Sequence, residues 1–481
     1  MSWEVVVGLE VHVQLKTATK MFCRCPNRFG AEPNTLVCPV CLGYPGTLPV
    51  PNREAVDLAV TLALALGCAV RETSVFARKN YFYPDLPKGY QISQYDKPLA
   101  EGGSLPLTLS EKRVRIHRLH LEEDAGKLLH EAPGGVALPG QSLVDFNRCG
   151  VPLVEIVSEP DLRSAEEAVD YLQTLHRVLL YTGTSDGNME EGSLRCDANI
   201  SLRRTGEARF GTKAEVKNLN SFRNVGRALE YEFERQRALL EAGQRVAQDT
   251  RSFDAGEGVT RTLRSKEEAH DYRYFPEPDL RPLVLSAERL ERLRESLPEL
   301  PWARRVRLVG EYGLSEIDAR ELTSDRALAD YFEAAAAAHR SNPKGVANWV
   351  ANEVRRELNE RRTGLDAALQ PERLARLVAL VDRGEISNSA AKEVLAAIWA
   401  SGEEPDAAVA RLGLRQVSDS GQIEAWADEV IAEFSGQVEQ YRAGKAQLLG
   451  FLVGQVMKRS GGRAQPAAVQ GALKRKLAAP A

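Results

Sequence analysis

Apolar residues occupy every second position along the first extended segment of this chain. Between Val5 and Leu15 the odd positions are all Val or Leu, while Glu10, His12 and Gln14 occupy consecutive even positions. Successive side chains of a β-strand point to opposite faces, so one face would be apolar and the other would carry a row of polar groups. This alternation is typical of an antiparallel sheet that packs on one face and is open on the other.

The same alternation recurs later in the chain and predicts further strands of that sheet. Within Leu194–Leu202, small or apolar residues alternate with polar ones such as Arg195 and Asp197, and shorter versions occur at 213–217 and 144–148. Surface strands usually carry Thr, Lys and Ser, whereas carboxylates with a histidine suit a site for a hard cation and phosphate. The alternative is a solvated face that binds no ligand.

Three consecutive acidic residues, Glu122, Glu123 and Asp124, end the extended run that begins at residue 113. Like charges this close repel one another, so keeping all three ionised requires solvent, cationic partners or a metal. A solvated turn is the alternative for this run. Glu155 is embedded in an apolar segment, where a carboxylate is either paired or metal-bound, or simply lies at the end of a strand.

The segment Phe76–Gln91 combines aromatic rings, cations, prolines and a glycine, which predicts a loop rather than a helix or a core strand. It carries Arg78, Lys79 and Lys88. In a functional loop these cations would reach phosphates and the rings would face a base. In a packed loop the tyrosines would only cover the surface.

Four of the seven cysteines form two close pairs separated by twelve residues. This spacing predicts a tetrahedral structural zinc site made of Cys23, Cys25, Cys38 and Cys41, whose four thiolates leave no open position for catalysis. Reduced, buried cysteines are the alternative. An odd number of cysteines in a long chain without a signal peptide predicts a cytoplasmic protein.

The order of secondary-structure signals predicts an α+β fold of three domains, because 481 residues exceed the size of one ordinary domain. Residues 1–290 hold the strand signals. Residues 291–404, rich in Arg, Leu, Glu and Ala, are expected to form an all-helical domain, and residues 405–481 a small helical tail domain. No run of 18 uncharged apolar residues occurs, so we expect no membrane span and no membrane partner.

Cations accumulate in the tail from Gly436 onward, although the whole chain has a net charge of −4. That local excess predicts a surface that contacts RNA phosphates, with a solvated helical face as the alternative. The residues predicted to bind RNA are Lys458, Arg459, Lys474, Arg475 and Lys476.

Seven motifs spread over the chain carry a family resemblance. They are Val7–His12, Arg78–Asp85, His120–Lys127, Glu155–Asp161, Glu191–Asn199, Asp271–Pro278 and Gly450–Gln455. Through them essentially the whole chain resembles the B subunit of the tRNA-dependent amidotransferases. In that family the B subunit works with a glutaminase A subunit and a small C subunit. Together they convert misacylated Glu-tRNA(Gln), and often Asp-tRNA(Asn), to the amide form.

The resemblance implies a cradle of antiparallel sheet related to the catalytic domain of glutamine synthetase, then a helical domain and a tail domain that grips tRNA. It also implies that ATP phosphorylates the side-chain carboxylate of the aminoacyl group, after which ammonia from the glutaminase displaces phosphate. Mg²⁺ would be required to bridge phosphate oxygens. No P-loop motif is present in the sequence, so the nucleotide would not be held as in P-loop kinases.

Roles within this chemistry follow from the preference of Mg²⁺ for oxygen ligands. The expected ligands are Glu10, Glu123, Glu155 and the imidazole of His12, with Glu122, Glu191 and Asp197 as second choices. The cations expected to contact the phosphates of ATP are Lys79, Lys88 and Arg148. The residues expected to act in catalysis are Glu10, His12, Glu123, Lys79 and Arg148.

Two other functions stay open at the level of the sequence. The first is a stand-alone ligase, similar to glutamine synthetase, that acts on a small amino acid; it would need neither the basic tail nor the long helical region. The second is a non-catalytic scaffold that binds tRNA, which would not need strands with a face of carboxylates and histidine.

Overall fold

The computed structural model describes residues 2–129, 131–132, 136–137, 140–265, 271–416 and 420–478. The chain divides into two compact units, Met1–Trp302 and Ala303–Ala481. The first unit combines a large sheet with helices, and the second is helical, so the predicted α+β class is confirmed at this level. Within the described residues, no helix is both long and apolar enough to cross a membrane.

A ten-stranded sheet dominates the first unit. From one edge to the other its strands are β17 (Val259–Ser265), β16 (Asp249–Asp254), β15 (Ala214–Leu219), β14 (Leu194–Arg204), β1 (Trp3–Gln14), β13 (Pro152–Ser158), β8 (Arg113–Glu123), β6 (Ala100–Glu101) and β2 (Ala69–Val70), with β7 (Ser104–Pro106) beside β8. The central strand β1 has the predicted alternation, since Leu9, Val11 and Val13 are fully buried while Glu10 and His12 are only half-buried.

Helices cover the apolar face of this sheet and form one core with it. They are α1 (Arg53–Ala65), α2 (Ala165–Thr182), α3 (Phe222–Glu241) and α4 (Ala287–Glu295). Three of these helices, α1, α2 and α3, have N-caps at Asn52, Ser164 and Ser221. The side chain of each cap accepts a hydrogen bond from N–H groups in the first turn of its helix. These caps fix the residue at which each helix begins, because the first N–H groups of a helix have no hydrogen-bond partner within the helix.

Three sequence expectations need correction in the first unit. The sheet is mixed rather than purely antiparallel, because β15 and β16 are parallel; α3 connects them, and a helical crossover returns the chain in the same direction. The strand expected at 144–148 is β12 (Leu143–Asp145), which pairs with β9 (Lys127–Leu129) in a separate small sheet. The segment expected as a loop at 76–91 contributes to β4 (Ala77–Asn80) and β5 (Tyr90–Ser93).

Further short strands complete the first unit. Strand β18 (Phe275–Pro276) joins β4 and β5 in a three-stranded sheet, β3 (Thr73–Ser74) pairs with β19 (Leu283–Val284), and β10 (Glu131–Ala132) pairs with β11 (Val136–Ala137). Strand β5 packs along the end of β8, where the Gln91 side chain donates a 2.7 Å hydrogen bond to the carbonyl of Glu123. The three-stranded sheet thus brings the cationic segment next to the acidic end of β8.

The second unit is built from helices around two apolar clusters. Its helices are α5 (Pro301–Tyr312, which begins at the end of the first unit), α6 (Glu316–Leu322), α7 (Arg326–Ala338), α8 (Pro343–Asn348), α9 (Arg355–Arg361), α10 (Pro371–Asp382), α11 (Asn388–Ser401), α12 (Pro405–Leu412), α13 (Ser420–Glu433), α14 (Ser435–Arg442), α15 (Leu448–Arg459) and α16 (Pro466–Leu477). Ala408 and Val409 of α12 belong to the first cluster, so a boundary at 404 would cut it. The three-domain division stays a prediction.

Candidate active site

Three neighbouring strands place histidine and glutamate side chains in one row on the polar face of the sheet. His12 on β1 lies opposite Glu155 on β13, which lies opposite His120 on β8, and Glu122 follows two residues along β8. The Nε2 atom of His12 is 3.5 Å from a carboxylate oxygen of Glu122 and 3.8 Å from one of Glu155. The Nε2 atom of His120 is 3.0 Å from the same Glu155 oxygen. These four residues are called the His–Glu cluster.

Histidines hold the carboxylates of the His–Glu cluster in their ionised form although the site is buried. Burial alone would raise the pKa of Glu155, but His120, His12 and Lys79 lower that pKa overall. Burial would likewise lower the pKa of His120, but Glu155 and Glu122 raise it to about 9. The ionised carboxylate is the form of these side chains that binds a metal ion.

The His–Glu cluster has the chemistry of a divalent-metal site. One ligand atom each from His12, Glu122 and Glu155 lie within 4.8 Å of one another. Carboxylate oxygens are the ligands that Mg²⁺ prefers, and the imidazole nitrogen also suits softer divalent ions. Ser93 on β5 donates a 3.2 Å hydrogen bond to the second oxygen of Glu122, which orients that carboxylate from outside the row.

Lys79 is the one predicted phosphate-binding cation that the structure places beside the His–Glu cluster. Its ammonium group lies 5.0 Å from the centre of the Tyr272 ring and 5.9 Å from that of Tyr81. Burial lowers the pKa of Lys79, but the negative charges of Glu122 and Glu155 outweigh burial and raise it overall. Lys79 is therefore favoured in its positively charged form at the edge of the cluster.

Glu10 lies beside the His–Glu cluster and not among its close ligand atoms. The side-chain amide of Asn199 donates a 2.9 Å hydrogen bond to the Glu10 carboxylate. Burial and the neighbouring Glu155 charge raise the pKa of Glu10. Of the second choices, Asp197 forms a 2.5 Å ion pair with Lys217, and Glu191 lies in the exposed turn before β14.

Glu123 lies on the other face of β8, so the expectation that it joins Glu10 and His12 in binding Mg²⁺ is not supported by the geometry. Its carboxylate forms an ion pair with Lys88 and accepts a 3.0 Å hydrogen bond from the backbone N–H of Ile92. The pairing of β8 with β13 skips one residue between Ile116 and Arg118. After this bulge Glu123 shares its face with the buried residues Leu119 and Leu121.

Two of the three cations expected to contact ATP phosphates are occupied within the protein. Lys88 is paired with Glu123, and only 10% of its side chain is exposed. The Arg148 guanidinium donates hydrogen bonds of 3.0 and 2.6 Å to the carbonyl oxygens of Ala125 and Gly126. Both cations hold the turn that follows β8, which leaves Lys79 as the phosphate contact that fits the geometry.

From the sequence alone, Glu122 is only a second-choice Mg²⁺ ligand and His120 has no predicted role. The signal was present in the alternation of Leu119, His120, Leu121 and Glu122. The two leucines mark the apolar face of β8, so His120 and Glu122 must share the polar face. The pairing of His120 with Glu155 depends on the neighbouring strand, and the sequence does not reveal it.

The four cysteines of the predicted zinc site converge. The sulfur atoms of Cys23, Cys25, Cys38 and Cys41 lie within 4.8 Å of one another, so the group could hold a metal ion. The hydrogen bond from the Cys23 thiol and the nearby Lys20 ammonium lower the pKa of Cys41 to about 5.

Lys20 is fully buried beside this cysteine group. Its ammonium group donates a 2.7 Å hydrogen bond to the carbonyl of Leu36 and lies 3.8 Å from Sγ of Cys41. No carboxylate is paired with Lys20 anywhere in the described part of the chain. A buried cation without a carboxylate is costly, so the arrangement fits an anionic metal–thiolate centre.

Acidic residues of α13 neutralise part of the basic tail surface. Arg459 on α15 pairs with Glu429 at 2.9 Å and also with Glu433. On α16, Arg475 pairs with Glu424 at 3.1 Å and Lys476 with Asp428 at 2.7 Å. Lys458 and Lys474 are exposed and form no ion pair with the residues that the structure describes.

Comparison with known proteins covers nearly the whole chain. Residues 5–291 match a family model described as the GatB/GatE catalytic domain, and residues 330–477 match one described as the GatB domain. The first match includes every residue of the His–Glu cluster, Lys79 and the four cysteines. The second match includes the five cations predicted to bind RNA.

Curated relatives align over their full lengths. A protein of Geotalea daltonii is 55% identical over 480 residues, which is 99% of this chain and 100% of the relative. Proteins of Carboxydothermus hydrogenoformans and Oleidesulfovibrio alaskensis are each 54% identical over 99% of both chains. All three carry the name of the B subunit of the aspartyl/glutamyl-tRNA(Asn/Gln) amidotransferase.

Proposed function

This chain belongs to the GatB/GatE family, and from that premise we propose that it is the B subunit of an aspartyl/glutamyl-tRNA(Asn/Gln) amidotransferase. Its reaction is the ATP-dependent amidation of the side-chain carboxylate in Glu-tRNA(Gln), Asp-tRNA(Asn) or both. The observation that carries the proposal within the structure is the convergence of His12, Glu122 and Glu155 beside Lys79. A chain that only bound tRNA would not need this arrangement.

The reaction has two chemical steps. A carboxylate oxygen of the aminoacyl group attacks the terminal phosphorus of ATP, which releases ADP and forms an acyl phosphate. Ammonia then attacks the acyl carbon, the bond to phosphate breaks, and the amide forms with loss of a proton. Transfer of a phosphoryl group depends mainly on positioning and on stabilisation of charge.

Residues of the His–Glu cluster fit a bound Mg²⁺, which would neutralise charge on the transferring phosphoryl group. Glu122 and Glu155 would supply the oxygen ligands, and His12 would supply a nitrogen ligand. His120 holds Glu155 in place through their 3.0 Å contact. Lys79 supplies fixed positive charge for the phosphate oxygens, and its half-buried position beside the Tyr272 ring limits screening by water.

Other parts of the complex must supply ammonia. We assign glutamine hydrolysis to the glutaminase A subunit and propose a small C subunit as the third component, in a cytoplasmic complex. Free ammonia would be protonated in bulk water, so transfer between the active sites requires an enclosed path. The mostly antiparallel polar-faced sheet supports a cradle related to the glutamine synthetase catalytic domain.

The proposed function is tested by measuring ADP formation in the reconstituted complex with ammonium and Mg²⁺, with and without Glu-tRNA(Gln). We expect a burst of ADP that requires the charged tRNA. ADP formed equally well with free glutamate would favour a stand-alone ligase. Amidation that persists after loss of the His–Glu cluster would favour a scaffold role for this chain.

Lys20 should stabilise zinc bound by the four cysteines, which we propose as a structural site. Replacing Lys20 by Met removes the buried positive charge and keeps an unbranched apolar stem. Partners of this kind typically change metal affinity by about 10–100-fold. We therefore expect K20M to release zinc to a chromogenic chelator much faster than the unmodified chain. The matched control is K16M, because Lys16 is exposed in the same segment; equal release rates for both variants would show that the charge of Lys20 is irrelevant.

The exposed, unpaired lysines of the tail should contribute more to tRNA binding than the paired cations. We expect K458A/K474A to weaken binding of tRNA to the complex and to reduce the slope of log affinity against log salt by about 1–2, since each phosphate contact contributes nearly one unit. The control is R475A/K476A, which removes the same charge from residues paired with α13. An equal or larger effect of the control would place the tRNA on the paired cations instead.

A further inference from the structure

The row of side chains that contains the His–Glu cluster continues onto one more strand. Arg195 on β14 lies directly opposite His12 on β1, which in turn lies opposite Glu155 on β13. Residues that lie opposite each other in an antiparallel pair project from the same face, with Cα atoms about 5 Å apart. Arg195 therefore shares the polar face with His12, and its Cα atom lies about 10 Å from that of Glu155, two strands away.

The guanidinium group of Arg195 is held on one side and open on the other. Its Nη2 atom donates a 2.8 Å hydrogen bond to the Asp124 carboxylate. Its Nε and Nη1 atoms donate no hydrogen bond to any residue that the structure describes, and 33% of the side chain is exposed. These donors are thus available to a ligand that enters from the open face of the sheet.

Asp124 does not need Arg195 in order to be paired. It also accepts a 2.8 Å hydrogen bond from the side-chain amide of Gln14 and a 3.0 Å hydrogen bond from the backbone N–H of Ala125. The carboxylate would therefore keep hydrogen-bond partners if Arg195 were absent. The contact is better explained in the other direction, because it fixes the orientation of a long and otherwise mobile arginine side chain.

Two cations flank the His–Glu cluster from opposite sides. Lys79 belongs to β4, which pairs with β5 beside the end of β8, whereas Arg195 belongs to β14, and the strands of the cluster lie between them. Burial lowers the pKa of Arg195, but the charges of Asp124 and Glu122 outweigh burial and raise it overall. The charge of Glu122 also raises the pKa of Lys79, so both cations lie within reach of the same carboxylate.

The proposed reaction requires two anions to meet at this place. The carboxylate of the aminoacyl group must approach the terminal phosphate of ATP against charge repulsion, and the attacking and leaving oxygens lie roughly in line through phosphorus. One cation on each side of the metal ligands suits that arrangement. A lysine acts on phosphate as a point charge, whereas the planar fork of an arginine matches the two oxygens of a carboxylate.

We propose that Arg195 binds the side-chain carboxylate of the aminoacyl group and holds it for attack on the terminal phosphorus. This inference rests on the proposed function and deepens it, because it names the residue that recognises the charge of the substrate. The amide of the product has no charge and forms a weaker hydrogen bond with a guanidinium group. Arg195 therefore also distinguishes the charged substrate from the amidated product.

Binding of substrate and product to the reconstituted complex, measured without ATP, tests the proposal. Glu-tRNA(Gln) and Gln-tRNA(Gln) have the same nucleic acid and differ only in a carboxylate and an amide. We expect the complex to bind the substrate about tenfold more tightly than the product, since hydrogen bonds to charged groups are the stronger ones. R195M should bring the ratio of the two affinities close to one, and R195K should retain part of it.

The matched control is R203M. Arg203 lies on the same strand and face, about 26 Å along β14 from Arg195, and forms a 2.6 Å ion pair with Glu4. R203M should leave the ratio of affinities unchanged. Both variants should bind Gln-tRNA(Gln) as the unmodified complex does, which shows that they are folded.

Rates of amidation provide the second readout. R195A should amidate Glu-tRNA(Gln) slowly, and added guanidinium should restore part of its rate while leaving R203A unchanged. A ratio of affinities that R195M does not alter would overturn the proposal. A rise in the KM for ATP with an unchanged KM for charged tRNA would also overturn it, because Arg195 would then contact phosphate. If the unmodified complex forms no burst of ADP with charged tRNA, the proposed function itself is contradicted.

Discussion

Replacing Glu122 by Gln should abolish ATP-dependent amidation in the reconstituted complex while leaving the chain folded. Gln keeps the size of the side chain and can still accept the hydrogen bond from Ser93, but it removes the charge that would hold a metal ion. Stabilisation of the transferring group by a metal is worth several kcal/mol, so we expect the rate of ADP formation to fall by about a thousandfold or more.

The measurement is the burst of ADP formed with charged tRNA, together with thermal unfolding of each variant. E155Q should have a similar effect, because Glu155 offers the second carboxylate of the His–Glu cluster. E54Q is the matched control, since Glu54 is exposed in the first turn of α1. A normal burst with E122Q would show that the His–Glu cluster takes no part in the reaction. The metal ligands would then have to be sought among the remaining carboxylates on this face.

The different roles expected for Glu122 and Glu123 show what the alternation of apolar and polar residues can predict. The pattern along β1 and β14 predicted the strands, their buried face and the polar row that contains His12. In β8 the pattern changes phase at the bulge near His117, because Val114 and Ile116 are buried at even positions and Leu119 and Leu121 at odd ones. Counting from the nearest leucines would have put Glu122 on the polar face.

Partners that come from distant parts of the chain could not be found in the same way. The pairing of Lys88 with Glu123 depends on how β5 packs along the end of β8, and that of Arg459 with Glu429 depends on how α15 lies against α13. Both cations looked available for phosphate because free cations and paired cations have the same local sequence.

The parallel pairing of β15 with β16 could not be predicted for a similar reason. The sequence indicated a strand near 213–217, and in the structure α3 follows that strand. The returning strand β16 carries charged residues, of which Asp249 and Arg251 are buried as a 2.8 Å ion pair. Buried ion pairs hide the apolar character that marks a central strand, so the sequence pattern failed there.

Replacing Glu123 by Gln should primarily destabilise the first unit, in contrast to Glu122. Its carboxylate is 4% exposed and the Lys88 side chain 10%, so E123Q leaves a nearly buried ammonium group without its partner. Breaking a buried ion pair from one side costs about 3–5 kcal/mol in the free energy of unfolding. We expect the midpoint of thermal unfolding to fall by about 5 °C or more.

A double-mutant cycle separates this structural role from a role in binding metal. K88M alone should also destabilise the chain, because it leaves the carboxylate of Glu123 buried, whereas E123Q/K88M removes both charges and should recover most of the lost stability. Adding Mg²⁺ with ATP should not change the coupling energy between the two sites, since Glu123 faces away from the His–Glu cluster. The opposite pattern, in which E123Q unfolds normally but forms no ADP with charged tRNA, would show that Glu123 takes part in the reaction and that β8 presents a different face to the substrate.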